Sequence, residues 1–489
     1  MQSAMPTHSI EPRRGRTPRS PAHHVLALLG CSLLMSCAHV PVDMPVEPES
    51  LPETYSLFDA NQPIADQWWR SWQSDDLNRL IDLALTNGFS IRTAEARLRQ
   101  AAAVARRDTS ALVPEITLSG GAGYTEREQN DIRTESETYS LKLAGSYELD
   151  LWGRVSSIAD AAEADVEATR SDLRTARITL AGQVAETWVN LLVQQNQLAL
   201  LNSQRATSEQ TLELLNLRFK NALSTSLDVF QQQQVVEEAR ALIPLAEASI
   251  AVFQHQLAIL LGLPPTMSLE LTHQTLPTVS PIPGTGLPID LLANRPDIRG
   301  SGYRLVAAGE RVQAAQANRL PALRLTADAG YASEDLSTLF DNWLANLAGN
   351  LLLPLLDGGN RRAQVSQAEA LRDERLLDYR QTVYQAVADV EDALIQEQKQ
   401  VEHLAATVRQ LEAARNGLAE AVYRYRNGLQ DYLAVLTQQL SVQRLERDWV
   451  ARKGQRLLYR IALHRALGGD PLAVTHEPVP EEEGMYDVE

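Results

Sequence analysis

One long internal repeat constrains the fold of this chain more than any other feature. Asn87 and Asn294 begin two segments whose like residues pair at a separation of 207 (87 to 294), and further on Gly153 and Gly359 pair at 206 (153 to 359). A period of about 200 residues that occurs twice indicates a duplicated domain, because solenoid proteins repeat units of roughly 20 to 50 residues. Each half of the chain is therefore expected to fold in the same way.

Two proline-free stretches predict helices of great length. Residues 153–221 and their counterparts 359–427 keep a helical periodicity throughout. At ~1.5 Å per residue, such helices reach on the order of 100 Å. A second helical pattern returns along each of them, over residues 227–261 and 433–467. We expect a kink or break at Pro244, because a proline inside a helix removes one backbone hydrogen bond and crowds the preceding turn.

Amphipathic strands follow a shorter helical pattern near the start of each half. In the first half this pattern covers residues 75–111, with an interruption near Asn87 and Gly88. Alternating apolar and polar residues then predict four strands, at 116–124, 139–149, 323–331 and, less regularly, 343–353. The first two form a hairpin with one apolar face, and the polar residues 125–138 are expected to separate them.

The strands have the length and pattern of membrane-spanning β-strands. Segments of about ten residues with one apolar and one polar face suit the wall of a water-filled barrel. Four strands cannot close and open edges are not tolerated in lipid, so several chains must share one barrel. Two copies give eight strands and three give twelve, and geometry alone does not choose. From the hairpins alone a soluble α+β domain is an equal alternative; the duplication, an N-terminal anchor and the lack of a long apolar helix favour the barrel.

The N-terminus carries an export signal of the lipoprotein kind. Several arginines precede the apolar run 25–35, which is too short to cross a bilayer as a helix. The run leads to Ser36 and Cys37, which resemble the end of a bacterial lipobox, where a peptidase cuts before the cysteine and its thiol and new amine are acylated. Residues 1–36 are therefore expected to be a signal peptide. The alternative is a chance cysteine beside an ordinary cleavage site.

Composition and motifs argue against nucleic-acid binding and catalysis. The chain has 45 Lys plus Arg and 62 Asp plus Glu, a formal net charge of −17 that repels a phosphate backbone. Its two cysteines, Cys31 and Cys37, both precede the folded part, and no HExxH, Walker A or GxSxG motif occurs. Glu391 and Asp392 are adjacent, so on a helix they point about 100° apart. We expect no enzyme, no metal, and no cofactor other than a covalent lipid at Cys37.

Several segments together resemble one family. Residues 69–100, the turns 149–154 and 356–359, and two segments of the pattern Arg-aromatic-x-Asn-(Gly/Ala)-Leu look like those of the outer-membrane efflux proteins. With the lipobox, the chain is most similar to the NodT-type lipoprotein branch of the TolC-like outer-membrane factors. The resemblance implies a mainly helical homotrimer with a membrane β-barrel. Its twelve strands, four per chain, are expected to be continuous with a long periplasmic α-helical barrel.

The resemblance also implies a function and partners. Such channels are passive conduits for drugs, metals or other small solutes. The solutes come from an inner-membrane transporter of the resistance-nodulation-division (RND) type through a periplasmic adaptor protein. The chain is then anchored by its lipid among the outer-membrane lipids. Two alternatives remain: the exit channel of a type I protein-secretion system, and a lipid-anchored periplasmic coiled-coil scaffold without a pore.

Two groups of residues are candidate sites. Where the long helices reverse, Asn and Gly favour the positive φ of a helix end, and by the resemblance these tips meet the adaptor. The tip residues are Arg218, Phe219, Asn221, Leu223, Tyr425, Arg426, Asn427, Gly428 and Leu429. Leu433 and Thr437, one helical turn apart, are expected to form a periplasmic aperture that closes by dewetting. Relatives often have Asp at the position of Ala434 or Thr437; here the nearest carboxylates are Asp228 and Asp431, which either favour cations weakly or are merely solvated.

The predicted domain organisation follows the repeat. The signal peptide (1–36) is followed by a lipidated tether (37–67), a first efflux repeat (68–270), a linker (271–293), a second efflux repeat (294–468) and an acidic tail (469–489).

Overall fold

The first helices of each repeat are interrupted at one position, as the sequence predicts. The computed structural model describes residues 51–52, 54–55, 67–129, 131–267, 271, 275–279, 285–286 and 288–468. Helix α1 spans Asp75–Asn87 and α2 spans Phe89–Thr109, with Gly88 between them. A Cβ at Gly88 would lie 2.5 Å from the Ala84 carbonyl oxygen, so only glycine fits at this break.

A long helical hairpin completes the first repeat. Helix α3 spans Arg154–Lys220 and has 67 residues, and α4 returns over Ser226–Leu260 with 35. Of the expected kink or break at Pro244, the break is wrong, because α4 is helical on both sides of this residue. A kink there stays a prediction. The expected lack of a long apolar helix is also wrong: α4 is long and apolar enough to cross a membrane by composition, which by itself is weak evidence for a span.

The second repeat has the same order of helices. Helix α5 spans Asp290–Asn294 and α6 spans Pro296–Ala317, interrupted at Arg295 as α1 and α2 are at Gly88. The long pair follows, with α7 over Asn360–Arg426 and α8 over Tyr432–Leu467. Both long hairpins therefore form where the sequence predicts them.

Four antiparallel strands form one sheet in the order β1-β2-β3-β4. The strands span Glu115–Gln129 (β1), Ile132–Leu149 (β2), Ala322–Ser333 (β3) and Trp343–Leu352 (β4). The expectation that residues 125–138 form a separate polar segment is wrong, because β1 and β2 run through it and place Glu126 opposite Glu135. Backbone pairing continues past the apolar part of the hairpin, since it does not depend on the polarity of the side chains.

The sheet has one apolar and one polar face. Residues opposite each other in the register share a face, so the pairs Leu118 with Leu143 and Leu141 with Tyr331 lie together. The apolar side chains are exposed in the single chain, and Leu347 is 82% accessible. Since β1 and β4 are paired on one side only, the sheet is open at both edges.

The chain divides into two compact units, and each draws on both repeats. Of the described residues, one unit contains 112–156 and 313–358, with the four strands. The other contains those within 51–111, 157–312 and 359–468, with nearly all of the helical residues. The main core of the helical unit is built around tryptophans, with Trp69 and Trp188 almost fully buried. Trp68 to Trp72 form a 3₁₀ turn in the same core.

Candidate functional site

Both long hairpins reverse through the same backbone geometry. Ala222 has φ +57° and Gly428 has φ +69°, both in the left-handed region. The N–H of Leu223 donates to the Arg218 carbonyl oxygen at 2.8 Å, and the equivalent bond from Leu429 spans 2.9 Å. This is the hydrogen-bond pattern of a left-handed helix cap. The predicted reversals are confirmed, and Ala222 takes the glycine conformation at a cost on the order of 1 kcal/mol.

Side chains fix the two turns. Asn221 and Asn427 each donate from Nδ2 to a carbonyl oxygen of the preceding helix turn, at 2.8 Å in both cases. At the start of α4, Thr225 and Asp228 form a capping box: the Asp228 carboxylate accepts the Thr225 N–H at 3.0 Å, and the Thr225 hydroxyl accepts the Asp228 N–H at 3.2 Å. Asp228 therefore has a structural role that the sequence analysis did not consider. Asp431 stands at the start of α8 without a side-chain cap.

The two tips contact each other through a chain of polar and aromatic groups. The Arg218 guanidinium lies over the ring of Tyr425, 5.0 Å from its centre. Tyr425 meets Tyr432 edge to face at 5.5 Å. The buried Tyr432 hydroxyl donates to Gln232 Oε1 at 2.6 Å, and burial raises the pKa of this hydroxyl. The ring of Tyr425, a predicted docking residue, thus holds the two tips together.

Other tip residues remain exposed. Phe219, Leu223 and Leu429 are 47%, 64% and 72% accessible, respectively. Apolar side chains grouped at the end of two hairpins form a surface that suits a protein partner. The structure therefore separates the predicted docking set into exposed residues and the contacting pair Arg218 and Tyr425.

Leu433 and Thr437 lie on one exposed face of α8, as predicted. Leu433 is 55% accessible, whereas Tyr432, Val435 and Leu436 point into a small core with α3, α4 and α7. The Thr437 hydroxyl donates to the Leu433 carbonyl oxygen at 2.8 Å, so it is already satisfied by its own helix. Their role as an aperture stays a prediction.

A row of buried polar side chains, which the sequence analysis missed, joins the hairpins above the tips. Gln232 donates to the Ser208 carbonyl oxygen at 2.8 Å, and Gln439 donates to the Ser208 hydroxyl at 3.3 Å. Further along, Arg447 donates to Gln204 at 2.9 Å. The available signal was the spacing of Gln232, which lies three and four residues before Val235 and Val236, because a glutamine on such an apolar helix face needs a buried partner.

Charged pairs cross the polar face of the sheet. Lys142 Nζ lies 3.3 Å from Asp328 Oδ2, and Glu148 contacts both Arg324 at 3.4 Å and Arg154 at 2.8 Å. Opposite charges thus neutralise each other on the face that a water-filled barrel turns inward. In the described part of the chain, no group of His, Cys, Asp and Glu side chains is arranged to hold a metal ion.

Comparison with known proteins decides the family. The family model "Outer membrane efflux protein" matches residues 80–263 and again 287–469. The chain belongs to this family. Its two matches correspond to the two repeats.

Relatives and solved structures agree with this assignment over most of their length. The chain is 32% identical to the pyoverdine export outer membrane protein OpmQ of Pseudomonas putida, covering 92% of this chain and 97% of the relative. It is 30% identical to the outer membrane protein OprJ of Pseudomonas aeruginosa, covering 92% and 96%. Among solved structures, the outer-membrane channel OprN has a TM-score of 0.81 at 26% identity, over 87% of this chain and 98% of that one. VceC from Vibrio cholerae has a TM-score of 0.78 at 28% identity, over 84% and 100%.

The predicted fold class and function are confirmed at this level. The chain is a duplicated, mainly helical outer-membrane efflux factor whose four strands contribute to the twelve-stranded barrel of a trimer. It is the outer-membrane channel component of an efflux pump. Cys37, like the ranges 1–36 and 469–489, lies outside the described residues.

Proposed function

We propose that this chain forms the outer-membrane channel of a tripartite pump. Both helical tips bind a periplasmic adaptor, which connects them to an RND-type transporter in the inner membrane. The observation that carries the proposal is the pair of matched turns, which present Phe219, Leu223 and Leu429 to solvent. A channel tip without a partner would gain nothing from exposing apolar side chains on a rigid, capped turn.

The proposed cargo is a small solute that passes without tight binding. Relatives are named for the export of pyoverdine, toluene and cations, which share no charge or shape. The polar face of the sheet carries neutralised pairs, such as Lys142 with Asp328, and such a wall favours no single class of solute. Selection of the cargo then falls to the transporter and the adaptor. The type I secretion alternative has no support in the names of these relatives.

The docking proposal is tested by placing a charge on a tip. Leu223→Glu should abolish export of a fluorescent pump substrate from cells and weaken chemical cross-linking to the adaptor, because a carboxylate in an apolar contact must be desolvated. Leu223 is a better site than Gly428, since a side chain at Gly428 also strains a left-handed turn. Leu336→Glu is the matched control, because this leucine is 63% accessible and lies in the strand unit.

The yield of trimer in the membrane decides the interpretation. Normal trimer yield with lost export supports docking at the tip. A loss of trimer in the Leu223 variant, or full export with unchanged adaptor cross-linking, would refute it.

We also propose that Cys37 carries the lipid anchor. Cys37→Ser should leave an unprocessed precursor that takes up no labelled palmitate. The strands should still insert, because an acyl chain contributes only ~0.8 kcal/mol per buried CH₂ and a closed barrel buries far more surface. Labelled palmitate on the serine variant would contradict the assignment.

A further inference from the structure

One of the contacts between the two repeats inside the chain, that between α6 and α3, follows a single line of residues. Helix α6 of the second repeat packs against the first part of α3, where two of its arginines pair with two aspartates. These ion pairs are Arg304 with Asp172 and Arg311 with Asp165. Both are half-exposed, so they set the register of the two helices more than they stabilise the fold.

Small residues let the same two helices approach closely around these ion pairs. A Cβ on Gly300 would lie 3.3 Å from the Cβ of Ser171. Ala307 is buried in a cluster with Ala161 and Ala164. The line of contact on α6 therefore runs through positions 300, 304, 307 and 311, which share one helix face.

The duplication places an equivalent line on α2 and another on α7. Shifting the α6 positions by 207 gives Thr93, Arg97, Gln100 and Val104. Shifting Ala161, Asp165, Ser171 and Asp172 by 206 gives Gln367, Leu371, Leu377 and Asp378. All eight are exposed in the single chain except Leu371, which is half-buried. The apolar members include Val104 at 38% and Leu377 at 63% accessibility.

Where the lines on α2 and α7 differ from the contact between α6 and α3, the residues that would face each other differ in the same way. The equivalents of one ion pair, Arg97 and Asp378, keep their opposite charges. The equivalents of the other, Val104 and Leu371, are both apolar. The equivalents of the contact between Ala307 and Ala161 are both glutamine. If the α2 and α7 lines each faced water alone, they would have no physical reason to differ from the α6–α3 contact in matched pairs. Two surfaces that contact each other would have such a reason, because their charge and polarity must stay complementary.

We propose that α2 of each copy packs against α7 of the next copy along this line, with Arg97 paired to Asp378 of the neighbouring copy and Val104 packed on its Leu371. The contact between copies then repeats the contact within the chain. A head-to-tail contact closes into a ring when its rotation divides the circle. Three copies of a two-repeat chain supply six such contacts, three within chains and three between them.

Asp378 has room for this partner. Its carboxylate now accepts one hydrogen bond from Arg375, at 3.0 Å on the same helix, and both side chains are exposed. A carboxylate offers about four acceptor sites, and an exposed pair three residues apart is weak. Arg97 of a neighbouring copy can therefore pair with Asp378 while the hydrogen bond from Arg375 remains. Arg97 itself makes no ion pair in the described part of the chain.

Charge reversal tests the pairing on the full-length channel in detergent. Arg97→Asp and Asp378→Arg should each lower the temperature at which the trimer dissociates, because each places like charges across three interfaces of one trimer. The double variant should return the dissociation temperature toward that of the wild type. Additive losses in the double variant would overturn the proposed pairing.

Cross-linking provides a second test that does not depend on stability. Gln100→Cys combined with Gln367→Cys should give covalent dimers and trimers with a short thiol-reactive cross-linker. Their equivalents within the chain, Ala307 and Ala161, lie in one buried cluster. The matched control is Arg106→Cys with Gln367→Cys, because Arg106 is exposed on the same helix but points away from the line. Equal yields from both pairs, or monomers alone from a sample that is trimeric by native electrophoresis, would refute the placement.

Discussion

Protonation of His464 is expected to weaken the helical unit in mild acid. The imidazole of this residue is buried near the end of α8, where it stacks on Trp68 with ring centres 4.8 Å apart and planes 7° from parallel. Its Nδ1 has no hydrogen-bond partner. Burial, reinforced by the neighbouring Arg460, lowers the pKa of His464 from 6.5 to about 3. The folded chain therefore keeps this ring neutral where the unfolded chain protonates it.

The size of the effect follows from linkage between proton binding and folding. Between pH 6.5 and about 3 the unfolded state binds one more proton at this residue than the folded state. The free energy of unfolding therefore has its full value above pH 6.5 and falls as the pH decreases below it. Each pH unit costs ~1.4 kcal/mol, which makes ~2 kcal/mol per chain at pH 5. For a helical unit of roughly 300 residues, an unfolding entropy of about 2.1 cal/mol/K per residue converts this loss into a fall of roughly 3 °C in the unfolding midpoint.

Thermal unfolding followed by far-UV circular dichroism at a fixed scan rate measures this difference. His464→Phe keeps an aromatic ring against Trp68 but cannot be protonated, so its midpoint should fall less than that of the wild type between pH 7 and pH 5. His403→Phe is the control, because His403 is exposed on α7 and should leave the acid response unchanged. Identical acid responses of the wild type and His464→Phe would refute the reasoning.

Three further outcomes are expected. Leu433→Ala should raise resting conductance in planar bilayers, and millimolar divalent cations should block the channel only weakly. A strong block by these cations that persists in Asp431→Asn but disappears in Thr437→Ala would contradict the assignment of the aperture to Leu433 and Thr437. Glu397→Gln should lower stability by about 3 to 5 kcal/mol, because it removes the buried carboxylate that pairs with the buried Arg460 guanidinium; an unchanged denaturation midpoint would refute this prediction. Gly428→Ala should destabilise its turn by about 1 kcal/mol; a stability equal to the wild type would refute the strain.

Local signals were sufficient for the elements and the turns. Uninterrupted periodicity predicted α3 and α7 to within a residue or two, because long helices depend on repeated short-range contacts. The glycine break between α1 and α2 was visible for the same reason. The alternation of β1 failed beyond Tyr124, where the strand leaves its apolar stretch and only backbone pairing with β2 continues.

The contacts between repeats were not predictable from single positions. Gln232 and Tyr432 are 200 residues apart and meet only when the two hairpins pack together, so neither residue carries a local sign of its partner. Asp228 gave the opposite problem. Its position near a tip suggested either a weak preference for cations or a solvated side chain. Its spacing of three residues from Thr225 is that of a capping box, which the structure contains.

The two unpaired edges of the sheet constrain how the channel assembles in the membrane. Every backbone group on the free sides of β1 and β4 would cost several kcal/mol if it entered hydrocarbon unpaired. The strands of a single chain therefore stay outside the hydrocarbon until three chains close the barrel together. While free chains are scarce, the rate at which channels form therefore falls more steeply than the concentration of chains, because three must meet. A chain with a damaged edge would disable the intact copies that assemble with it.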